Sequence, residues 1–146
     1  MLIKQTKVRF RSAFEESVAE GLDAAGHAYR YEAIKLDYIE PEKRRRYTPD
    51  FCLANGILIE VKGRWSREDR KKHLLIKLQY PELDIRMVFS NPKEKINKGS
   101  KTTYADFCQR HGILFAKGAI PREWVNEGSL QSKCPLPQMK SKGNKK

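Results

Sequence analysis

No apolar run in this 146-residue sequence approaches the roughly 20 residues needed to cross a bilayer. The opening stretch "MLIKQTKVRFRS" lacks the apolar core and small-residue cleavage site of a signal peptide. No segment joins a broad apolar face to a basic one, which argues against a membrane-surface role. Cysteine is scarce: Cys52, Cys108 and Cys134 are odd in number, far apart, and match no zinc-ligand spacing. Three reduced thiols in a cytoplasm are therefore expected. There is no internal repeat, and no recognition-helix or finger motif for reading bases.

Acid is in deficit too, with 18 Asp and Glu against 30 Lys and Arg, for a net charge of +12. That imbalance points to a polyanionic partner, most often nucleic acid. The length suits one domain able to bury roughly 70% of its unfolded surface. A hydrophobic content of 39% fits a small core under a charged exterior.

Periodicity supplies the elements. "SAFEESVAEGLDAAG" predicts a helix, with Phe14, Val18, Leu22 and Ala25 at helical spacing, Ser12 as cap and Gly26 as stop. "HAYRYEAIKLDYI" reads as an extended segment, and "EPEKRRR", residues 40 to 46, as a charged break. "SREDRKKHLLIKLQYP" predicts a second helix with a Ser66–Asp69 capping box and an apolar face of Leu74, Leu75 and Leu78. "DIRMVFS" is a buried strand, "TTYADFCQRHG" a short helix ending at Gly112, and "ILFAKG" another strand. Pro121 opens a final helical turn in "IPREWVNEG". The order, helix, three strands, helix, strand, helix, strand, predicts an α/β (α+β) fold: a mixed β-sheet flanked by helices.

The chemistry concentrates in "YTPDFCLANGILIEVKG", two short apolar runs around an Ala-Asn-Gly turn, each carrying an acid. With Asn55 at the centre of the turn, Asp50 and Glu60 lie opposite one another. Strand parity sets Asp50, Glu60 and Lys62 on one face and Phe51, Leu53, Ile57, Ile59 and Val61 on the other. Like charges directly across a strand pair repel. Two such carboxylates make a site for a hard divalent cation, Mg²⁺ or Mn²⁺, and a cation beside phosphate supplies Lewis-acid catalysis. Lys62 can then orient water or stabilise charge building on phosphate. Pro49-Asp50 followed by Glu60-x-Lys62 is the pattern of a nuclease, although as a bare pattern it also fits a structural turn and a common strand sequence. A third acid can come from the first helix, Glu15 or Glu16. Patterning alone favours a capping role for Glu15, since Ser12-x-x-Glu15 is a capping box.

Several segments together carry a resemblance: "FRSAFEE", "YTPDF", "NGI" followed by Glu-x-Lys-Gly, "DRKKHLLI", "PELDIR", "VFS", "FC" with "HGI" after it, and "IP-x-EW". Over about residues 10 to 124 the chain resembles phage endonuclease I, the junction-resolving nucleases of T-odd phages. The resemblance implies a restriction-endonuclease-like core. It also implies that Asp50 and Glu60 bind metal, that Glu15 rather than the cap alone completes the site, and that Lys62 assists the attacking water. It further implies a symmetric homodimer exchanging N-terminal segments through a two-stranded bridge, here at about residues 36 to 47, and products with a 5′-phosphate. The "KLDYIEPEKRRR" stretch, the N-terminus and the tail match the family poorly in detail.

Basic clusters before the first helix (Lys4, Lys7, Arg9, Arg11), at residues 43 to 46 (Arg44 and Arg45 among them), and after the hairpin (Arg64, Arg67, Arg70, Lys71, Lys72) are candidate phosphate contacts. Contacts of that kind favour recognition by shape. His73 is expected at the surface or in a capping role, and Trp65 and Trp124 in packing. The expectation is thus a single nuclease domain over residues 1–127 with a flexible basic tail over 128–146. It would be a Mg²⁺-dependent endonuclease acting on four-way DNA junctions, with Mn²⁺ able to substitute, in the cytoplasm of an infected bacterium and with no membrane partner. The alternatives are a duplex endonuclease and a noncatalytic basic DNA-binding protein whose acids merely pair with Lys62.

Overall fold

The computed structural model describes residues 8–41 and 43–128. Lys4, Lys7, Cys134 and the predicted tail from residue 129 onward lie outside the described residues. The elements run α1 (Ala13–Ala24), β1 (Tyr29–Tyr31), β2 (Leu36–Glu40), β3 (Lys43–Tyr47), β4 (Phe51–Leu53), β5 (Leu58–Lys62), α2 (Arg67–Gln79), β6 (Ile85–Phe89), α3 (Tyr104–His111), β7 (Phe115–Lys117) and α4 (Arg122–Val125).

Five strands form one sheet in the order β1-β4-β5-β6-β7. The β1-β4-β5 part is antiparallel and the β5-β6-β7 part parallel, so the mixed sheet flanked by helices is as expected. β5 is its central strand, which is why four of its five residues are buried. Alternation along the strands divides the core. Phe51, Leu53, Ile57, Ile59, Val61 and Val88 face α1 and Trp124 of α4. Cys52 and Leu58 point the other way, with Tyr47 and Ile76, and Met87 and Phe89 pack on Trp65 and α3.

Local signals set most boundaries. Ser12, Ser66 and Thr103 cap their helices through side chains that accept the N–H three residues on. Gly112 ends α3 in the left-handed conformation, where a side chain would be strained. Pro121 opens α4.

Four expectations need correction. The extended segment before Pro41 is two strands in different sheets, interrupted at Glu32, whose φ of 50° turns the chain. The charged break is strand β3, paired with β2 in full register from Leu36↔Tyr47 to Glu40↔Lys43. Its four cations point to solvent and only Tyr47 is buried, so it carries no apolar alternation to read. The inward residues of α2 are Arg70, His73 and Ile76, while Leu78 is 75% exposed. Cys52 is disulfide-bonded, so the expectation of three reduced thiols does not hold for it; Cys108 is a free, buried thiol.

The C-terminal turn is fastened to the sheet. Buried Arg86 of β6 binds Asp84 and Glu127, each through two hydrogen bonds of 2.7–2.9 Å, and its guanidinium lies over the Trp124 ring. Asn55, in the β4–β5 turn, donates to the Trp124 carbonyl at 2.8 Å.

Candidate active site

The hairpin register is the symmetric one: Phe51 pairs with Ile59 and Cys52 with Leu58, and continuing the count sets Asp50 opposite Glu60. Asp50 stands just before β4, where its Oδ2 accepts the Val61 N–H at 2.8 Å. The side chain thereby takes a bond that a longer strand would have made through its backbone. Beyond Tyr31 the β1–β4 pairing goes on through the Glu32 N–H, which donates to the Asp50 carbonyl at 2.8 Å.

Helix α1 brings in the third acid. The Glu15 N–H donates to Ser12 Oγ at 3.0 Å, so half of the capping box exists. The other half does not. The Glu15 carboxylate accepts from the Arg11 N–H and the Tyr31 hydroxyl instead, and is directed toward Asp50. The cap and the site are therefore served by different atoms of one residue, and the two sequence readings are compatible.

Glu15, Glu32 and Asp50 each offer an oxygen, and these three oxygens lie within 4.8 Å of one another. Glu32 was missed from the sequence. It lies in no Pro-Asp or Glu-x-Lys pattern; its only signal is an acid directly after the Tyr-Arg-Tyr strand. Its Oε2 pairs with Arg11 Nε at 2.8 Å. Glu60 is not one of this trio. Its carboxylate accepts from the buried Tyr47 hydroxyl at 2.8 Å and lies 3.7 Å from Lys62 Nζ. Lys62 also binds Asp69, on the first turn of α2, at 3.2 Å.

Asp50 and Glu60 are only 6% and 5% exposed. Burial, then repulsion from Glu60 and Glu15, raises the Asp50 pKa to about 8 against the pull of the Val61 N–H. Burial raises Glu60 to about 7, opposed by Lys62 and the Tyr47 hydroxyl. Lys62 is raised: burial opposes its charge, but Glu60 and Asp69 outweigh it. Lys62 offsets only part of this cost, at Glu60, and a divalent cation bound by oxygen ligands would offset more of it. Glu15, Glu32 and Asp50 fit such an ion by donor type and spacing, with Glu60 beside them.

The other candidates scatter. Arg9, Arg44, Arg64, Arg67 and Lys71 are exposed. Arg11 is exposed but paired with Glu32, and Arg45 is paired with Glu40 at 2.9 Å. Arg70 differs from expectation. It is 5% exposed and turned inward, its guanidinium donating to the Trp65 and Ile96 carbonyls and to Asn97. His73 is not at the surface either. It is buried against Tyr47 and Trp65, and its pKa is lowered to about 3 by burial and by Lys72 and Lys62. Trp65 and Trp124 are packing residues as expected.

A strongly basic chain with buried carboxylates beside a lysine on a mixed sheet fits the nuclease class. The sequence pattern of the phage endonuclease I family matches residues 2–146, and the chain belongs to that family. It is 49% identical over 137 residues to Endonuclease I of Escherichia phage T7, covering 94% of this chain and 91% of that protein. It is 48% identical over 133 residues to Endodeoxyribonuclease 1 of Enterobacteria phage T3, covering 91% and 86%.

Proposed function

We propose that this phage nuclease is a Mg²⁺-dependent DNA endonuclease that resolves four-way junctions, acting as a homodimer inside the infected bacterium. The observation that carries the reading is the meeting of Glu15, Glu32 and Asp50 beside Glu60 and Lys62. Glu15, Asp50 and Glu60 are buried and Glu32 partly so, and acids gathered in this way weaken the fold unless they are paired or hold a cation. The relatives' names, which say endonuclease and endodeoxyribonuclease, support hydrolysis of DNA.

In the mechanism, Asp50, Glu15 and Glu32 would hold the ion, with Glu60, oriented by the Tyr47 hydroxyl, beside them. The bound ion supplies charge neutralisation at the phosphate and a more acidic water. Lys62 keeps its proton, because two carboxylates hold it. From its place at the end of β5 it stabilises charge developing on the phosphate or orients the incoming water. Mn²⁺ has the same preference for oxygen and substitutes.

Dimerisation by segment exchange would use the β2–β3 region. In the single chain the hairpin folds back, and Glu15 meets its own Asp50. Opening the turn after Glu40 would let the same contacts form between two chains. A pair of sites related by a two-fold axis then suits paired cuts across a branch point.

The test compares a labelled four-way junction with linear duplexes of the same arms, in Mg²⁺ and in chelator, for wild type and Asp50→Asn. Metal-dependent cutting of the junction alone, lost in the variant, is expected. Equal cutting of both substrates would leave a duplex endonuclease. Binding without cutting would leave a noncatalytic DNA-binding protein.

A further inference from the structure

Where β5 ends, Gly63 and Arg64 lead away from Lys62 into a cleft of about 550 Å³. One bank is the segment before α2 with that helix's first residue, Arg67. The other is the loop between β6 and α3. Arg64 and Arg67 line the cleft from the first bank, and Lys95 and Lys98 from the second. All four are exposed, and none makes an ion pair among the described residues. Glu94 is the single acid of the lining.

The neighbouring cleft shows the contrast. It lies between α2 and the β2–β3 hairpin and shares Arg67, but its cations sit among Glu40, Glu68 and Asp69. Arg45 and Lys72 in it are already paired.

The four-cation cleft is built in advance of any ligand. Arg70 ties its two banks together by donating to the Trp65 carbonyl on one side and to the Ile96 carbonyl and Asn97 on the other. The Trp65 N–H donates to the Tyr104 hydroxyl at 3.0 Å, a second tie. The loop is closed on itself by Ile96 N–H to the Thr102 carbonyl and Tyr104 N–H to the Glu94 carbonyl, both at 2.9 Å. Lys95 and Lys98 therefore project from a fixed frame, which lowers the entropy lost when they engage a ligand. Unpaired cations on both banks of an open, polar trough match a linear polyanion and not a small apolar ligand.

We propose that this cleft grips the sugar-phosphate backbone of the DNA strand that continues from the scissile phosphate at Lys62, with Lys95 and Lys98 as phosphate contacts. This rests on the endonuclease reading given above. It also gives Arg70 a positioning role: it shapes the cleft without touching DNA.

The experiment measures affinity for a four-way junction across a salt series, without Mg²⁺, for wild type, Lys95→Ala/Lys98→Ala and Lys95→Arg/Lys98→Arg. Lys77→Gln, at the opposite end of α2, serves as control, and melting curves check folding. Each lost phosphate contact lowers the slope of log affinity against log salt by about 0.9, and the affinity at about 0.1 M salt by roughly 8-fold. The double alanine variant should lose one to two such contacts, the arginine variant should recover them, and the control should match wild type. An alanine variant that folds and keeps the wild-type slope overturns the proposal, whatever wild type cuts. Wild type that binds with the expected slopes but cuts neither junction nor duplex in Mg²⁺ overturns the endonuclease reading and leaves the cleft as a DNA-binding surface.

Discussion

Replacing Asp50 with Asn should move stability and activity in opposite directions. Without metal, the carboxylate is buried beside Glu60 and Glu15, and its raised pKa means that its charged form weakens the fold. The neutral amide removes that repulsion, so the metal-free variant should melt above wild type at about pH 8 while cutting is lost. The sign can be followed with pH. Asp50 and Glu60 keep protons in the folded state, up to about 8 and about 7, that the unfolded chain gives up near its ordinary values of 3.8 and 4.5. Their contribution is therefore fully present below those ordinary values and is lost as pH rises through the folded ones. Denaturant midpoints of metal-free wild type should show this loss across that range, less steeply in Asp50→Asn and in saturating Mg²⁺. An identical slope in all three would contradict the account. At this scale the placement of Asp50 opposite Glu60, with Lys62 beside Glu60, was legible because the spacing of the motif carries it. Glu32 was not, because a strand pairing and a positive φ bring it to Asp50, and neither leaves a local signature.

The first helix joins folding to the site through one serine. Ser12 Oγ accepts the Glu15 N–H, so it fixes the turn from which the Glu15 carboxylate projects. Ser12→Ala should cost about 1 kcal/mol of stability, the usual worth of such a cap. It should also lower the cleavage rate under conditions where the protein remains fully folded. A purely structural cap would change the melting temperature and leave the rate of the folded enzyme alone. Helices of this kind, with a cap and a stop, were readable throughout as elements. β3 was not, since it buries one residue of five and is a strand because of what it pairs with. The face of α2 was misread for a related reason. Arg70 and His73 are buried through their partners rather than by apolarity, while the apolar Leu78 meets solvent.

For the whole molecule, the open question of chain exchange reduces to which copy supplies Glu15. Mixed dimers of a Glu15→Ala chain with an Asp50→Ala chain should regain nicking at one intact site if the segments are exchanged. Verified heterodimers with no recovery would mean that each chain completes its own site. The mixed sheet was foreseeable from the element order, but the return of the chain to fasten α4 was not, because it depends on Arg86 reaching Glu127, 41 positions away. That fastening governs how the protein comes apart. Peeling away the last turn would uncover Trp124 and remove Glu127 from a buried guanidinium in the same step, leaving a charge half compensated inside the sheet. Helix α4 therefore cannot fray on its own. Its amides and those of β6 belong to one cooperative opening, and their hydrogen exchange should be lost and regained together.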